Sequence, residues 1–302
     1  MGERRPWYAV VAVVAVLLML PLAGSAARPA HPAAEAPYRA AGTAPAAAAV
    51  DRLTLDLAEQ LLIRECMARH GFPLWLGAPP PEDEQRSFPY VVDDVDWARR
   101  HGFGGDIAAA AEARRRDDPN QRYFEGLPQD RRSAALVALN GARPEGLEAR
   151  LPSGGVVRHS ADGCRSEAER RLYRDLPAWY RAHRVVANLS IVRSGRVLAD
   201  PAYAAALPVW ARCMRRHAYL VDSPAHLRRT VADRGRDAEV AAAVAEATCA
   251  AGGLAATARE LDARYGAELA QLYRSDIETK RRLELAAAPR ARAIVTAAGP
   301  TR

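Results

Sequence analysis

Lysine is almost absent: of 43 basic residues only Lys280 is one, and the rest are Arg. Together with heavy use of Ala, Gly and Pro, that bias reflects a GC-rich coding sequence rather than a nucleic-acid-binding tract. The Arg residues are interspersed with Asp and Glu, so the formal charge of +7 describes a solvated mixed-charge surface and predicts no nucleic-acid partner. Aromatic residues make up only 6%. Strand-forming text is nearly missing too, with "SGGVV" (Ser153–Val157) the one short candidate. These shortages argue against a sheet-built fold, and stretches such as "AAAVAEATCAAGGLAATA" favour helix. Catalytic and cofactor signatures are missing as well. There is no His-Glu-x-x-His, no Gly-x-Ser-x-Gly, no phosphate-binding Gly loop and no Cys-x-x-Cys-His. Those absences remove the simplest zinc-protease, hydrolase, nucleotide and haem readings, and no cofactor is predicted.

The most specific feature present is the N-terminus. Arg4 and Arg5 precede an apolar run from Trp7 to Leu22, broken by Pro21 and followed by Gly24, Ser25, Ala26 and Ala27. That order predicts a secretory signal peptide over residues 1–27, cut after Ala26 or Ala27. The competing expectation is an uncleaved membrane anchor over residues 6–23, because the run is near the upper length for a signal core. Either outcome sends the protein to the cell surface or the extracellular space, with the membrane touched only by this segment. Residues 28–50, Pro- and Ala-rich with few apolar anchors, read as a disordered linker.

Export changes the meaning of Cys66, Cys164, Cys213 and Cys249, which outside the cytoplasm read first as disulfides. A zinc site is the rival, but no two of them are spaced as the Cys-x-x-Cys knuckle usual in structural zinc sites. Four cysteines allow three pairings, and spacing alone does not choose. A repeat does. "RECMARHGF" (Arg64–Phe72) is echoed by "ARCMRRHAY" (Ala211–Tyr219), and each copy is followed by a second Cys in Ala/Glu-rich helical text. Duplicated units that keep their internal cross-link give Cys66–Cys164 and Cys213–Cys249. Closing the shorter loop restricts the unfolded chain by roughly 4 kcal/mol.

The expected fold is therefore all-α: a disulfide-stapled helical bundle of two loosely related units, residues 51–195 and 196–302, with a long C-terminal helix. The first helix spans about Leu55 to His70, capped by Thr54 or Asp51, with Ala58, Leu62, Cys66 and Met67 on one face. Arg69 and His70 suit the carbonyl end, Gly71 can turn left-handed, and Phe72 can fold back as the apolar contact of a Schellman stop. Ala218 takes the place of Gly71 in the second copy, at a cost in strain. A third variant, "RRHGF" (Arg99–Phe103), has no cysteine and supports a capping role for the motif. Asp200-Pro201 and Ser223-Pro224 open later helices, and Asp237 begins the one carrying Cys249. The last helix is expected from Gly253 to Ala288, stopped by Pro289. Leu254, Ala258, Leu261, Tyr265, Leu269 and Leu272 form its stripe, and Glu260–Arg264 and Glu278–Arg282 its exposed pairs.

Two constellations hold reactive residue types. Asp93, Asp94 and Asp96 stand near His101, where a hard-metal site or an acid/base pair competes with a helix cap. His159, Ser160 and Asp162 share a long loop, but triads are built from spatial geometry and adjacency in one loop says little. The bland readings are preferred, so no catalytic or metal residue is assigned. Trp179 and Trp210 read as packing. The pattern Trp210, Cys213-Met214, Ala218-Tyr219, Pro224, Glu246 and Cys249 resembles a group of exported, uncharacterised actinobacterial proteins with Cys-Met, a later Gly-Tyr or Gly-Phe, and a partner Cys. The likeness covers roughly residues 200–290, and residues 55–175 only loosely; Ala218 departs from the usual Gly. It implies export and helical structure, and no activity. The expected function is a non-enzymatic exported protein binding a protein or envelope partner. The alternative is a secreted hydrolase using loop carboxylates with His159 or His101.

Overall fold

The computed structural model describes residues 52–299; the signal or anchor segment, the linker and the Asp51 cap lie outside them. Among the described residues there are twelve α-helices, a short 3-10 helix (Glu82–Gln85) and one β-hairpin. The helices are α1 (Arg52–Arg69), α2 (Val95–His101), α3 (Gly105–Asp117), α4 (Pro119–Gly126), α5 (Gln129–Asn140) and α6 (Cys164–Tyr173). They continue with α7 (Leu176–Ala199), α8 (Pro201–Arg216), α9 (Pro224–Val231), α10 (Arg236–Ala250), α11 (Leu254–Leu272) and α12 (Arg274–Ala298). The all-α, disulfide-stapled class with a long C-terminal helix is what the sequence predicts.

The units are not the contiguous halves expected. One consists of residues up to 78, 118–187 and 275 onward, and the other of 79–117 and 188–274. In the first unit, Leu55, Ala58 and Leu62 of α1 pack on Ala168, Leu172 and Tyr173 of α6, Trp179 of α7, and Leu283, Ala287 and Ala291 of α12. Alanines at the contact let helix axes approach closely, while each buried Leu contributes about 1.5–3 kcal/mol by leaving water. In the second unit, Trp210 and Met214 of α8 anchor a core with Tyr203, Leu227, Cys249, Leu254 and Leu261. Trp179 and Trp210 are buried, as packing residues should be.

Three helix starts follow their capping signals. The side chain of Asp94 accepts from Trp97 N, Asp200 from Ala202 N, and Ser223 from His226 N. Other expectations fail. Residues 142–163 are not all loop: Gly146–Arg150 (β1) pairs antiparallel with Val156–Ser160 (β2). Leu147 and Ala149 on β1 are buried against Leu176 and Tyr180 of α7, which gives the hairpin an apolar face. The last helix is two, broken at Tyr273, whose N–H closes back on Leu269 O. Pro289 lies inside α12 instead of ending it. Its ring frees the carbonyl of Leu285, and both residues face solvent, while Ala291, on the opposite side of the helix, is fully buried. Core packing carries the helix past the proline. Arg264 also leaves its expected exposed pairing and joins Asp200 and Glu268.

Candidate functional site

Each Cys-Met motif occupies the last turns of a long helix, where its cysteine faces inward and its methionine enters a core. Cys66 of α1 is bonded to Cys164, the first residue of α6, and Cys213 of α8 to Cys249 of α10. Both bridges hold Cα atoms 5.5 Å apart, ordinary disulfide spacing. Every described cysteine is thus paired, and each compact unit carries its own bridge. Two disulfides fit an oxidising location.

The helix stops are Schellman turns made by the main chain. In the first, Phe72 N donates to Met67 O at 2.9 Å and Gly71 N to Ala68 O at 2.9 Å, with Gly71 at φ +78°. In the second, Tyr219 N donates to Met214 O at 3.0 Å and Ala218 N to Arg215 O at 3.1 Å. Ala218 does so at φ +64°, left-handed without a glycine. The third copy differs. Gly102 sits at φ +61°, ψ −124°, outside the left-handed helical region, and Phe103 N donates to Glu239 instead.

His70 and His217 do not cap the carbonyls as expected. Among the described residues neither imidazole makes a side-chain hydrogen bond; each ring lies beside its own disulfide. One ring nitrogen of His70 and the sulfurs of Cys66 and Cys164 lie within 4.8 Å of one another, and His217, Cys213 and Cys249 repeat the arrangement. Both histidines are exposed, Cys213 is half-buried, and the other three cysteines are buried. His101, in the copy without cysteine, has carboxylate partners: Asp106 at 2.9 Å and Asp83 at 3.7 Å.

The reactive constellations separate. Asp94 caps α2 and pairs with Arg86 at 2.9 Å, Asp93 pairs with Arg259 at 2.6 Å, and Asp96 with Arg99 at 2.6 Å. Hydrogen bonds from Trp97 N and Arg86 hold Asp94 below the usual carboxylate range. The three acids do not converge. On β2, His159 and Ser160 alternate to opposite faces of the hairpin. Ser160 Oγ accepts from Asp162 N at 3.1 Å as a local turn, so no Ser-His-Asp triad forms. His159 stacks on Tyr180 with centroids 6.2 Å apart.

His159 nevertheless feels two arginines, Arg165 and Arg184, that also act on a pair of acids the sequence does not reveal. Burial, then the Glu169 and Asp56 carboxylates, push Glu59 of α1 up to about 8, against the pull of Arg165 and Arg184. Burial also raises Glu169 of α6, and burial with the same two arginines lowers His159. His183 on α7 is pushed down to about 4, by burial first and then by Arg184, Lys280 and Arg52. Lys280 itself is buried, ion-paired with Glu284, its ammonium 5.7 Å from the Trp179 ring centroid. The only hint in the sequence is Glu59 interrupting the apolar spacing of Leu55, Ala58 and Leu62.

In the second unit, two acids of α10 seven residues apart hold residues 79–117. Glu239 accepts from Phe103 N at 2.8 Å and Gly105 N at 2.9 Å, at the start of α3. Glu246, fully buried, accepts from Val92 N at 3.1 Å and pairs with Arg228 at 3.3 Å. Burial drives Glu246 up to about 7 despite that pairing. An apolar groove of about 660 Å³ opens in the first unit, lined by Leu61, Leu62, Leu74 and Ile294 and rimmed by Arg64 and Arg171. No family model, curated protein or solved structure matches the chain.

Proposed function

We propose that the protein is an exported, non-enzymatic helical module that binds a protein or another component of the cell envelope or extracellular space. The observation that supports it best is the disulfide in each compact unit, which suits a chain built to persist outside the reducing cytoplasm. The apolar groove at Leu61, Leu74 and Ile294 offers a partner an apolar contact ringed by Arg64, Glu65 and Arg171. Many arginines are engaged in ion pairs, Arg69, Arg171, Arg228, Arg236 and Arg264 among them. That spreads the positive charge and weighs against a nucleic-acid partner. The resemblance to uncharacterised exported actinobacterial proteins is part of the same reading.

The test is expression of the full chain with a photo-reactive amino acid at Leu74 or, as a control, at the exposed Val209. Secreted or surface protein beginning after Ala26 or Ala27, and a discrete adduct formed from Leu74 alone, is the expected result. Retention in the cytoplasm with free thiols overturns export; equal adducts from both positions, or none, overturns the groove.

A second reading rests on Glu59 and Glu169, raised by burial, and on His159, lowered by burial and by the same Arg165 and Arg184 that act on both acids; shifted acids and a shifted base suit acid/base hydrolysis. It ranks lower because a carboxyl pressed between packed helices is raised by burial alone. Hydrolysis of an ester or glycoside panel that is lost in Glu59→Gln would reverse the order.

A further inference from the structure

Scaffolding accounts for the cysteines, and main-chain hydrogen bonds account for the helix stops. Neither accounts for the histidines. Both Schellman turns close through the amides of residues 71 and 72 or 218 and 219, with no part played by the imidazole. Yet the ring sits against both sulfurs in each copy, within 4.8 Å. Where the motif lacks its cysteine, the histidine turns to Asp106 instead. The imidazole position therefore goes with the sulfurs.

We propose that each disulfide, once reduced, becomes a zinc site: Cys66, Cys164 and His70 in the first unit, Cys213, Cys249 and His217 in the second. The reductant is an external dithiol or low-molecular-weight thiol. It gives two electrons and two protons to the protein disulfide, leaving two cysteine thiols, and is itself oxidised to a disulfide. Zn²⁺ then displaces the two thiol protons and takes two thiolates and one imidazole. Thiolate and imidazole are the ligands Zn²⁺ prefers, at about 2.3 and 2.0 Å. Ligand atoms already within 4.8 Å of one another need only move inward around the ion as the S–S bond opens. The sequence hides this set because its second cysteine comes from another helix rather than from a Cys-x-x-Cys knuckle. The helix end supplies the rest: the i, i+4 spacing carries His70 and His217, the first residues past each helix, back over the turn that holds Cys66 or Cys213.

Three protein ligands leave one tetrahedral position to water or an incoming group. Beside the first site a cleft of about 460 Å³ is lined by His70, Arg131, Asp162 and Gly163, the residue preceding Cys164. The sites also differ in access. Cys213 is half-buried, whereas Cys66 and Cys164 are sealed at 1% and 0% exposure. A thiol reaches the second bridge first, so metal loading is stepwise.

The experiment uses the full chain, reduced anaerobically with a water-soluble phosphine standing in for the thiol, and titrated with Co²⁺ as a spectroscopic stand-in for Zn²⁺. Two equivalents giving thiolate-to-cobalt charge-transfer and tetrahedral d–d bands, both displaced by Zn²⁺, are expected, while the oxidised chain gives none. Mild reduction yields the first equivalent alone, and Cys213→Ser with Cys249→Ser removes it while sparing the other. His217→Ala and His70→Ala each weaken one site at least tenfold, and His101→Ala neither. Circular dichroism runs alongside. If reduction melts helix, Zn²⁺ must restore it. Absent thiolate bands, helix that metal does not recover, or affinities indifferent to both histidine replacements would each overturn the proposal.

Discussion

The one lysine in an arginine-rich chain is also one of its few buried charges, and its surroundings show how this fold treats titratable groups. Burial lowers Lys280, and the ion pair with Glu284 opposes that shift; Glu59 and His183 in the same unit are likewise pushed toward neutrality by burial. Their effects on stability have opposite signs. Glu59 has its folded value raised from 4.5 to about 8. Above pH 4.5 the unfolded chain sheds that proton first, so stability falls with rising pH until the folded group ionises. His183 is lowered from 6.5 to about 4; the unfolded chain takes up its proton first, and stability falls as pH drops below 6.5. Each slope approaches about 1.4 kcal/mol per pH unit. Between roughly pH 4.5 and 6.5 the two oppose each other, and above that window only the Glu59 loss remains. Urea unfolding of Glu59→Gln should therefore show a gain over the parent that grows from pH 6.5 to 8, and His183→Gln a gain confined to pH below 6.5. A gain for Glu59→Gln that is flat across pH would mean the carboxyl is not held protonated.

Helix ends show which local signals a sequence carries faithfully. A cap is made between near neighbours in the chain, so Asp94, Asp200, Ser223 and Gly71 are legible from adjacent residues alone, and each does what its chemistry dictates. The hairpin is not legible in this way because its apolar face needs α7 to cover it. Pro289 misleads because Ala291 and its neighbours bury beyond it. Glu239 and Glu246 are invisible as anchors because the main-chain amides they hold lie more than 130 residues away. The candidate site divides the same way. Cysteine pairing is legible from a local repeat, whereas Glu59 and Glu169 influence each other only through the tertiary fold, and the histidines lie against sulfur rather than carbonyl. The second helix stop carries a direct test. Ala218 adopts φ +64°, a conformation costing a residue with a Cβ about 1–2 kcal/mol. Ala218→Gly should recover about 1 kcal/mol in chemical denaturation, less the flexibility glycine adds to the unfolded chain. Gly71→Ala, at φ +78°, should lose a similar amount. If Ala218→Gly destabilises instead, the left-handed stop is not how α8 ends.

At the scale of the whole chain, the disulfides and the units divide the sequence differently. The Cys66–Cys164 bridge closes 98 residues, and inside that span lie residues 79–117, which pack with residues 188–274. The Cys213–Cys249 bridge closes 36 residues within one unit. A repeat in sequence suggests two contiguous halves, but the repeat marks only the stapled helix pairs and not the chain that completes each core. α1 and α6 need Leu283, Ala287 and Ala291 of α12, while α10 needs Val92, Trp97 and Ala98 from the segment before α3. Long-range segments of this kind place most of their burial late in folding, after loops are closed at entropic cost. Cutting the chain between the two sequence halves should therefore leave two incomplete cores. A fragment of residues 51–195 keeps both Cys66 and Cys164 yet lacks α12, and exposes Leu55, Ala58 and Leu62. Residues 196–302 keep Cys213 and Cys249 but lose the residues that Glu239 and Glu246 hold. Oxidised, each fragment should give weak, non-cooperative thermal transitions and poorly dispersed amide spectra. Mixing the two should restore cooperative unfolding, since together they supply the segments of both units, with α7 cut only in its last turn after Gly195. Cooperative folding of either fragment alone would show that the interleaved segments are accessories to cores already complete without them.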